Sequence, residues 1–238
     1  MAKSVVKKKE TPLVKKNYYE DFKVDSEDLL IPRIMLMQKV SKKVEEEEAK
    51  VGEFRDNVEN KLFGDKKTNL IIAPVMPIKK IWCVSVKDNQ ENVVSYREIP
   101  YDQTLPEQEV VEEGKLERVK ALQLFCLPMD ELEANVKADA KPIPYVMVFK
   151  SSSYYAGRQV YQTQFQNKNL NIPPFARAIE ISSNQATSKK GGHTFYKMEV
   201  KKTEEITDIK KLALLDSLYD DLASVNVKIA ENQPEEFF

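Results

Sequence analysis

Short apolar runs separated by polar turns dominate the middle and second half of the sequence. In residues 79–87 (KKIWCVSVK) both alternating faces are largely apolar, which is typical of a mostly buried strand. Runs of this kind lie at 70–76, 79–87, 93–97, 119–127, 144–150, 175–182 and 194–201. A polar, Gly-ended loop at 184–192 joins the last two runs and predicts a hairpin. The pattern therefore predicts a mainly β protein.

Residues 151–167 carry a helical period. As a helix, the segment places four large side chains on one face at spacings of four, three and four: Tyr154, Arg158, Tyr161 and Phe165. The serines at 151–153 are candidate N-caps, and Pro173-Pro174 would stop the element. A strand would instead bring Tyr155 onto the side of Tyr161. We favour the helix.

The clearest helix lies near the C-terminus. Apolar residues repeat there at spacings of three and four, at Ile209, Leu212, Leu215, Tyr219, Leu222, Val225 and Ile229. Charged residues occupy the other side, so the pattern predicts an amphipathic helix. We expect this helix to dock on its own domain in preference to a second copy of the chain, although a homodimer stays open.

The same pattern predicts the organisation of the chain. We expect a flexible basic arm over 1–20, an OB-like nucleic-acid-binding domain with insertions over 21–203, an amphipathic helix over 204–230 and an acidic tail over 231–238. Alternating strands with short loops favour an OB-like antiparallel barrel, and hence a mainly β (α+β) class with helical additions. Residues 100–118 are a Pro- and Glu-rich excursion from that pattern.

The charge distribution changes this picture, because the net charge of −1 conceals separate blocks. Residues 1–16 hold six Lys and one Glu, and residues 141–203 hold ten Lys or Arg and two Glu. Residues 204–238 hold nine Asp or Glu and three Lys. A basic block beside an acidic tail indicates an interaction with nucleic acid that the tail can modulate.

Catalytic chemistry is poorly represented. His193 is the only histidine, and the sequence has neither a phosphate-binding loop nor a dinucleotide fingerprint. We therefore expect a binding protein that is not an enzyme and uses no cofactor or metal. Cys83 and Cys126 lie in apolar runs and are expected to be buried free thiols. No run approaches 18 apolar residues, so we expect no membrane span and a cytoplasmic protein.

Binding chemistry is better represented, because residues 141–203 also hold nine aromatic residues. Single-stranded nucleic acid needs cations that follow its phosphates and rings that stack on its bases. About half of the nine rings are expected in the core, since strands alternate faces. The candidate nucleic-acid-binding residues are Lys79, Lys80, Trp82, Lys150, Tyr154, Tyr155, Arg158, Tyr161, Phe165, Lys168, Phe175, Arg177, Lys189, Lys190, Tyr196 and Lys197.

The last residues form an acidic, aromatic segment that cannot build a core of its own. A partner's pocket can capture such a peptide by its rings and terminal carboxylate. The recognition elements would be Glu235, Glu236, Phe237 and Phe238.

Several segments resemble the single-stranded-DNA-binding proteins of tailed bacteriophages. They are Leu30–Gln38 (LIPRIMLMQ), Val51–Phe54 (VGEF), Phe149–Ser153 (FKSSS) with Ala156–Arg158 (AGR), Pro174–Ala176 (PFA) and the Phe-terminated tail. The resemblance implies an OB-fold core, sequence-independent strand binding, and a tail that recruits replication or recombination proteins. The chain departs from it in the 100–118 excursion and the Lys-rich N-terminus.

We therefore expect a single-stranded-DNA-binding protein of phage replication or recombination, in the cytoplasm of an infected bacterium. Two alternatives stay open. One is a virion or assembly protein that acts through protein–protein contacts of the helix and tail. The other is a carboxylate-metal nuclease, for which Asp130, Glu131 and Glu133 are the candidate ligands.

Overall fold

A computed structural model describes residues 31–112, 114–188 and 191–224. The strands are β1 (Arg33–Leu36), β2 (Phe54–Asp56), β3 (Leu62–Gly64), β4 (Leu70–Pro74), β5 (Lys79–Lys87), β6 (Val93–Pro100), β7 (Gln108–Val111), β8 (Gly114–Pro128), β9 (Tyr145–Lys150), β10 (Arg177–Thr187) and β11 (Thr194–Glu205). The helices are α1 (Lys42–Glu45), α2 (Met129–Ala138), α3 (Tyr154–Asn169), which follows a 3₁₀ turn at Ser151–Ser153, and α4 (Ile209–Ser224).

Strand β8 is the centre of the sheet, and both of its edges are paired. Along one edge it pairs antiparallel with β5 and then β4, and along the other with β7 and then β9. β4 and β5 are separated by a short irregular segment in which the N–H groups of Val75 and Met76 both donate to the carbonyl of Phe125. Each edge of the continuous strand β8 is thus paired with two separate, shorter strands.

The sheet is mixed and open. Its main order is β11-β10-β4-β8-β9-β1-β2-β3, and β1 runs parallel to β9. Among the described strands no ladder joins β11 to β3 or to β1, so the OB-like closed antiparallel barrel is not confirmed. The coarser prediction, a mainly β protein with helical additions, is confirmed.

Helices cover both faces of the sheet. Leu122, Phe149 and Val160 belong to the core between the sheet and α3. Val146 and Leu127 belong to the core on the opposite face, which α2 and α4 cover. Because the side chains of neighbouring strand residues point to opposite faces, β9 contributes to both cores.

The predicted helix near the C-terminus is confirmed as α4, which docks on its own sheet. Leu215, Leu218 and Leu222 are buried there, whereas Ile209 is 81% exposed and lies outside the apolar stripe. The predicted stripe residues Val225 and Ile229 lie outside the described residues, as do the predicted arm at 1–20 and the tail at 231–238.

The 100–118 excursion folds onto the sheet through β7 and the start of β8. Leu105, Val111 and Leu116 pack there with Trp82 and Val84 in a separate small core. This excursion therefore extends the sheet and covers the outer end of β5. Cys83 and Cys126 are buried free thiols, as predicted.

The helical prediction for 151–167 is confirmed, but its capping is not. The hydroxyl of Ser153 accepts a hydrogen bond from the N–H of Met198 (3.1 Å) and makes no cap bond to its own helix. At Gly157 the helix approaches the sheet so closely that an added Cβ would lie 2.7 Å from the Cβ of Phe149. Such a contact is too short for any larger residue without a shift of the helix.

We predict that Gly157→Ala destabilises the protein even though alanine favours helices. The gain of about 1 kcal/mol in helix propensity is outweighed by an overpacking cost of about 1–3 kcal/mol against Phe149 and Leu122. Denaturant unfolding measures the difference. Gln162→Ala, at an exposed position of the same helix, is the control and is expected to be neutral or stabilising. A Gly157→Ala protein as stable as the control would contradict the close approach.

Candidate nucleic-acid interface

Helix α3 buries its small residues and exposes its large ones. Its buried residues include Ala156, Gly157 and Val160. Three aromatic rings of the same helix face solvent: Tyr155 is 68%, Tyr161 47% and Phe165 54% exposed. Burying rings is normally favourable by a few kcal/mol, so three exposed rings on one 16-residue helix are an unusual surface.

The orientation of α3 is fixed by side-chain hydrogen bonds as well as by packing. The buried amide of Gln164 accepts a hydrogen bond from the N–H of Ile78 (2.8 Å) and donates one to the carbonyl of Met76 (3.0 Å). These backbone groups lie in the gap between β4 and β5, where the sheet ladder is interrupted. Rotating α3 to bury its rings would leave both groups without these partners, which costs about 1–3 kcal/mol for each.

The predicted residues Tyr154, Arg158, Tyr161 and Phe165 lie along one flank of α3. Arg158, Tyr161 and Phe165 are exposed, and Tyr154 is half-buried at the edge of the core. Lys168 continues the same flank one turn later and is also exposed. Tyr155 projects from a different side of the helix, since consecutive helical residues are about 100° apart.

Exposed cations of the sheet lie on the same face as α3. Lys80 pairs with Leu122, and Leu122 pairs with Phe149, so the side chains of all three point towards the helix side of the sheet. The pKa of Lys120 is raised, mainly by its hydrogen bond to Glu107 and further by Tyr101 and Tyr154. Tyr154 is therefore within electrostatic range of Lys120 on β8.

We refer to this arrangement as the α3 surface. It consists of Tyr154, Arg158, Tyr161, Phe165 and Lys168 of the helix together with the exposed Lys80 of β5. Lys79 is also exposed, but it pairs with Gln123 and points to the opposite face of the sheet. The helix flank of this surface carries aromatic rings and cations, and no carboxylate lies among them. Such a surface can stack bases and neutralise phosphates.

Three predicted stacking residues instead belong to the core. Trp82 is 1% exposed, packs 4.9 Å from Tyr101 and donates from its ring N–H to the carbonyl of Asp102 (2.7 Å). Phe175 and Tyr196 are also buried. Tyr101 and Leu105 of the 100–118 excursion cover Trp82, and the pattern of β5 alone does not predict this contact.

The remaining predicted residues are placed in different ways. Lys150, Arg177 and Lys197 are half-buried, and Lys197 forms an ion pair with Glu199 (2.8 Å). With Lys201 and Asn184, Lys197 lowers the pKa of Glu199 to about 2. The predicted Lys189, Lys190, Glu235, Glu236, Phe237 and Phe238 lie outside the described residues.

A concave feature, which we call the cleft, has a volume of about 370 Å³. It is lined by Arg33–Lys43, Lys150–Ser153, Thr194–Tyr196 and Met198, together with Tyr96, Glu98, Val146 and Val148. Val146, Val148 and Lys150 alternate along β9 and therefore face away from α3. Ile34, Leu36 and Met198 also line the cleft and belong to the core on the α3 side, so the cleft borders both faces of the sheet.

A buried polar network lies at the base of the cleft. Arg33 is 6% exposed and donates to both carboxylate oxygens of Glu98, at 2.5 and 3.0 Å. Gln123 and the Tyr96 hydroxyl donate to the same carboxylate, at 2.8 and 3.2 Å. Four donors therefore hold one carboxylate in place, as a buried charge requires.

Burial changes the ionisation of the groups beside this network. The Lys150 ammonium lies 5.4 Å from the centre of the Tyr96 ring. Burial lowers the pKa of Lys150, and the nearby Glu98 carboxylate partly offsets this shift. Burial likewise raises the pKa of the Cys83 thiol and of the Tyr96 hydroxyl. Cys83 and Tyr96 are therefore neutral at pH 7.

The Gln38 side chain bridges the opening of the sheet. Its amide nitrogen donates to the carbonyl of Tyr196, and its amide oxygen accepts from the N–H of Tyr196, both at 2.9 Å. This pair of bonds is what a neighbouring strand would supply in a ladder. One side chain therefore links β11 to the segment after β1 where no strand does.

Two separate segments of the phage resemblance meet at the cleft. Arg33–Gln38 of the first segment and Lys150–Ser153 of the second line it. Lys39, Lys42 and Lys43 also line it, although the sequence singled out none of them. In the sequence, the cations of 39–43 are followed directly by an acidic run, so the charge of this segment does not indicate a basic site.

The candidate metal ligands on α2 are engaged elsewhere. Glu131 forms an ion pair with Lys61, and Glu133 one with Lys211 (2.7 Å). Within residues 31–112, 114–188 and 191–224, no three His, Cys, Asp or Glu side chains form a group that could hold a metal ion. No helix in this part of the chain is long and apolar enough to cross a bilayer.

These features define a mainly β protein with an open mixed sheet, an aromatic and cationic helix surface and a basic cleft. A family model for the Pam3 phage gp34-like proteins matches residues 11–228, and the chain belongs to this family. It is therefore a bacteriophage protein, as the resemblance implied. No curated protein and no solved structure matches the chain.

We predict that Gln38→Ala weakens the link between β11 and β1. Both polar groups of the Tyr196 peptide lose their partner, at a cost of about 1–3 kcal/mol in the free energy of unfolding. Gln38→Glu keeps the shape but removes the donor, so it is also expected to destabilise. Gln103→Ala, the same change at an exposed position, is the control. Equal melting temperatures for Gln38→Ala and Gln103→Ala would contradict a structural role for the bridge.

Proposed function

We propose that this phage protein binds single-stranded DNA without sequence preference through the α3 surface. The observation that carries the proposal is the exposure of Tyr161 and Phe165, at 47% and 54%, on a helix flank that also bears Arg158 and Lys168. Every base has a π-face, so exposed rings bind unpaired strands of any sequence.

The geometry of α3 supports this use. Tyr154, Tyr161 and Phe165 recur along one flank at helical spacings, so rings follow one another over about 11 residues, or roughly 16 Å at 1.5 Å per residue. Arg158 and Lys168 lie among the rings, and Lys80 of β5 projects from the same face of the sheet as α3. A strand that follows the helix would meet rings and cations in turn.

The charge of the surrounding chain supports the same proposal. The excess of eight positive charges over residues 141–203, in which ten Lys or Arg face two Glu, includes α3 and both hairpin strands after it. Such an excess of positive charge does not stabilise a hydrophobic core, but it favours binding to a polyanion. Recruitment of replication or recombination proteins by Glu235, Glu236, Phe237 and Phe238 is part of the proposal and rests on the sequence.

We predict that Tyr161→Ala and Phe165→Ala each weaken binding to oligo-dT. Loss of one stacked ring costs about 1–3 kcal/mol, which corresponds to roughly 5- to 150-fold in affinity. Fluorescence anisotropy with a labelled oligonucleotide at low salt measures the change. Both rings are exposed, so the substitutions should leave the melting temperature nearly unchanged.

Tyr155→Ala is the matched control, because it removes an exposed ring from the same helix on a different side. Its effect should be much smaller than that of Tyr161→Ala. No binding of oligo-dT by the unmodified protein, or equal effects of all three substitutions, would sink the proposal. Loss of binding to another phage protein in place of DNA would favour an assembly role, and Mg²⁺-dependent cleavage of the oligonucleotide would favour a nuclease.

A further inference from the structure

Lys120 of β8 is a cation on the α3 side of the sheet that lies outside the α3 surface. It pairs with Trp82 of β5, while Leu122, two residues further along β8, pairs with Lys80. Because alternate strand residues share a face, the side chains of Lys120 and Lys80 point to the same side of the sheet. The Lys120 ammonium lies 5.5 Å from the centre of the Trp82 ring. The cations beside α3 therefore continue from Lys80 to Lys120.

Two elements approach each other at Lys120. Its pKa is raised mainly by its hydrogen bond to Glu107, and further by Tyr101 of the 100–118 excursion and Tyr154 of α3. Tyr101 packs on Trp82, with their ring centres 4.9 Å apart. Lys120 is thus within electrostatic range of both the excursion and the first residue of α3. A strand that follows the flank of α3 to its N-terminal end would reach this cation.

The Lys120 ammonium already has an anionic partner, the Glu107 carboxylate, at 3.0 Å. Both side chains are largely exposed, Lys120 to 47% and Glu107 to 66%. An ion pair between side chains this exposed contributes little to stability, because water solvates both charges and salt screens them. A phosphate group could therefore take the place of the Glu107 carboxylate at a small cost in stability.

The neighbouring ion pair has a different character. The Arg118 side chain is only 8% exposed, and it donates to the Glu109 carboxylate (2.9 Å) and to the Pro106 carbonyl (2.8 Å). The Arg118 backbone N–H donates to the Glu107 carbonyl (2.7 Å). Arg118 therefore fastens residues 106–109 to β8 without the Glu107 side chain. The Glu107 carboxylate can leave Lys120 while its backbone stays in place.

We propose that Lys120 binds a phosphate of the DNA strand and that Glu107 is an internal competitor, which occupies the phosphate position when no DNA is bound. The inference rests on the proposed function, because it adds a contact with the same strand beyond the α3 surface. A carboxylate and a phosphodiester oxygen both accept hydrogen bonds from an ammonium group, so one can replace the other. Glu107 thus lowers the affinity for DNA without altering the α3 surface.

Anisotropy titrations of the full chain with oligo-dT at several salt concentrations test the role of Lys120. Lys120→Ala is expected to weaken binding roughly 2- to 5-fold at low salt, the size of an exposed charge interaction. It should also reduce the slope of log K against log salt by about 0.7, the value for one phosphate contact on a single strand. Lys120→Arg keeps the charge and should retain both the affinity and the slope. Lys137→Ala, at an exposed position of α2, is the matched control and should change neither.

The role of Glu107 is tested in the same titrations. Glu107→Gln removes the competitor and is expected to tighten binding by roughly 2- to 5-fold at low salt. Glu112→Gln makes the same charge change at an exposed position of the same excursion and is the control. In the Lys120→Ala background the effect of Glu107→Gln should disappear, because Glu107 acts through Lys120. Tightening that persists in that background would indicate a general effect of charge and would overturn the competition.

Failure of this inference differs from failure of the proposed function. Suppose that Tyr161→Ala weakens binding while Lys120→Ala and Glu107→Gln behave like their controls. The phosphate contact is then wrong, and the α3 surface stands. No binding of oligo-dT by the unmodified protein would overturn both. Melting curves by circular dichroism show that each variant is folded, and weak binding by a folded Lys120→Arg protein would also contradict the contact.

Discussion

The backbone ladders of β8 are the constraint on which the rest of the structure depends. Its 15 residues bond to β5 and β4 along one edge and to β7 and β9 along the other. Such pairing fixes which residues of five strands share a face, because a shift of one residue would reverse every side chain. It puts Leu122 and Phe149 under α3 and leaves the opposite face to α2 and α4.

The close approach of α3 to this sheet determines the character of its outer surface. Only small residues such as Ala156 and Gly157 fit between the helix and Phe149, so the large side chains of α3 must lie elsewhere. The Gln164 hydrogen bonds to the gap between β4 and β5 then fix the rotation of the helix. The exposed rings are thus a consequence of the packing beneath them, and this makes them available to a ligand at no further cost in stability.

Local patterns in the sequence predicted much of this fold. The alternation of β5, the hairpin of β10 and β11, and the periods of α3 and α4 depend on neighbouring residues, and all of them are present. Whether the sheet closes into a barrel depends on contacts between distant residues, such as the hydrogen bonds between Gln38 and Tyr196. Local patterns in the sequence do not predict such contacts. The burial of Trp82 likewise depends on a segment about 20 residues further along. The flank of α3 was predictable from its spacing, whereas the cleft depends on the tertiary arrangement of four segments.

The central claim is that unpaired bases lie against the rings of α3. Ultraviolet cross-linking of the full chain to an oligo-dT that carries 5-iodo-deoxyuridine, followed by mass spectrometry of the adducts, tests it most directly. The account predicts adducts on Tyr154, Tyr161 or Phe165. Adducts confined to other elements, such as β6, β7 or α4, with none on α3, would contradict it.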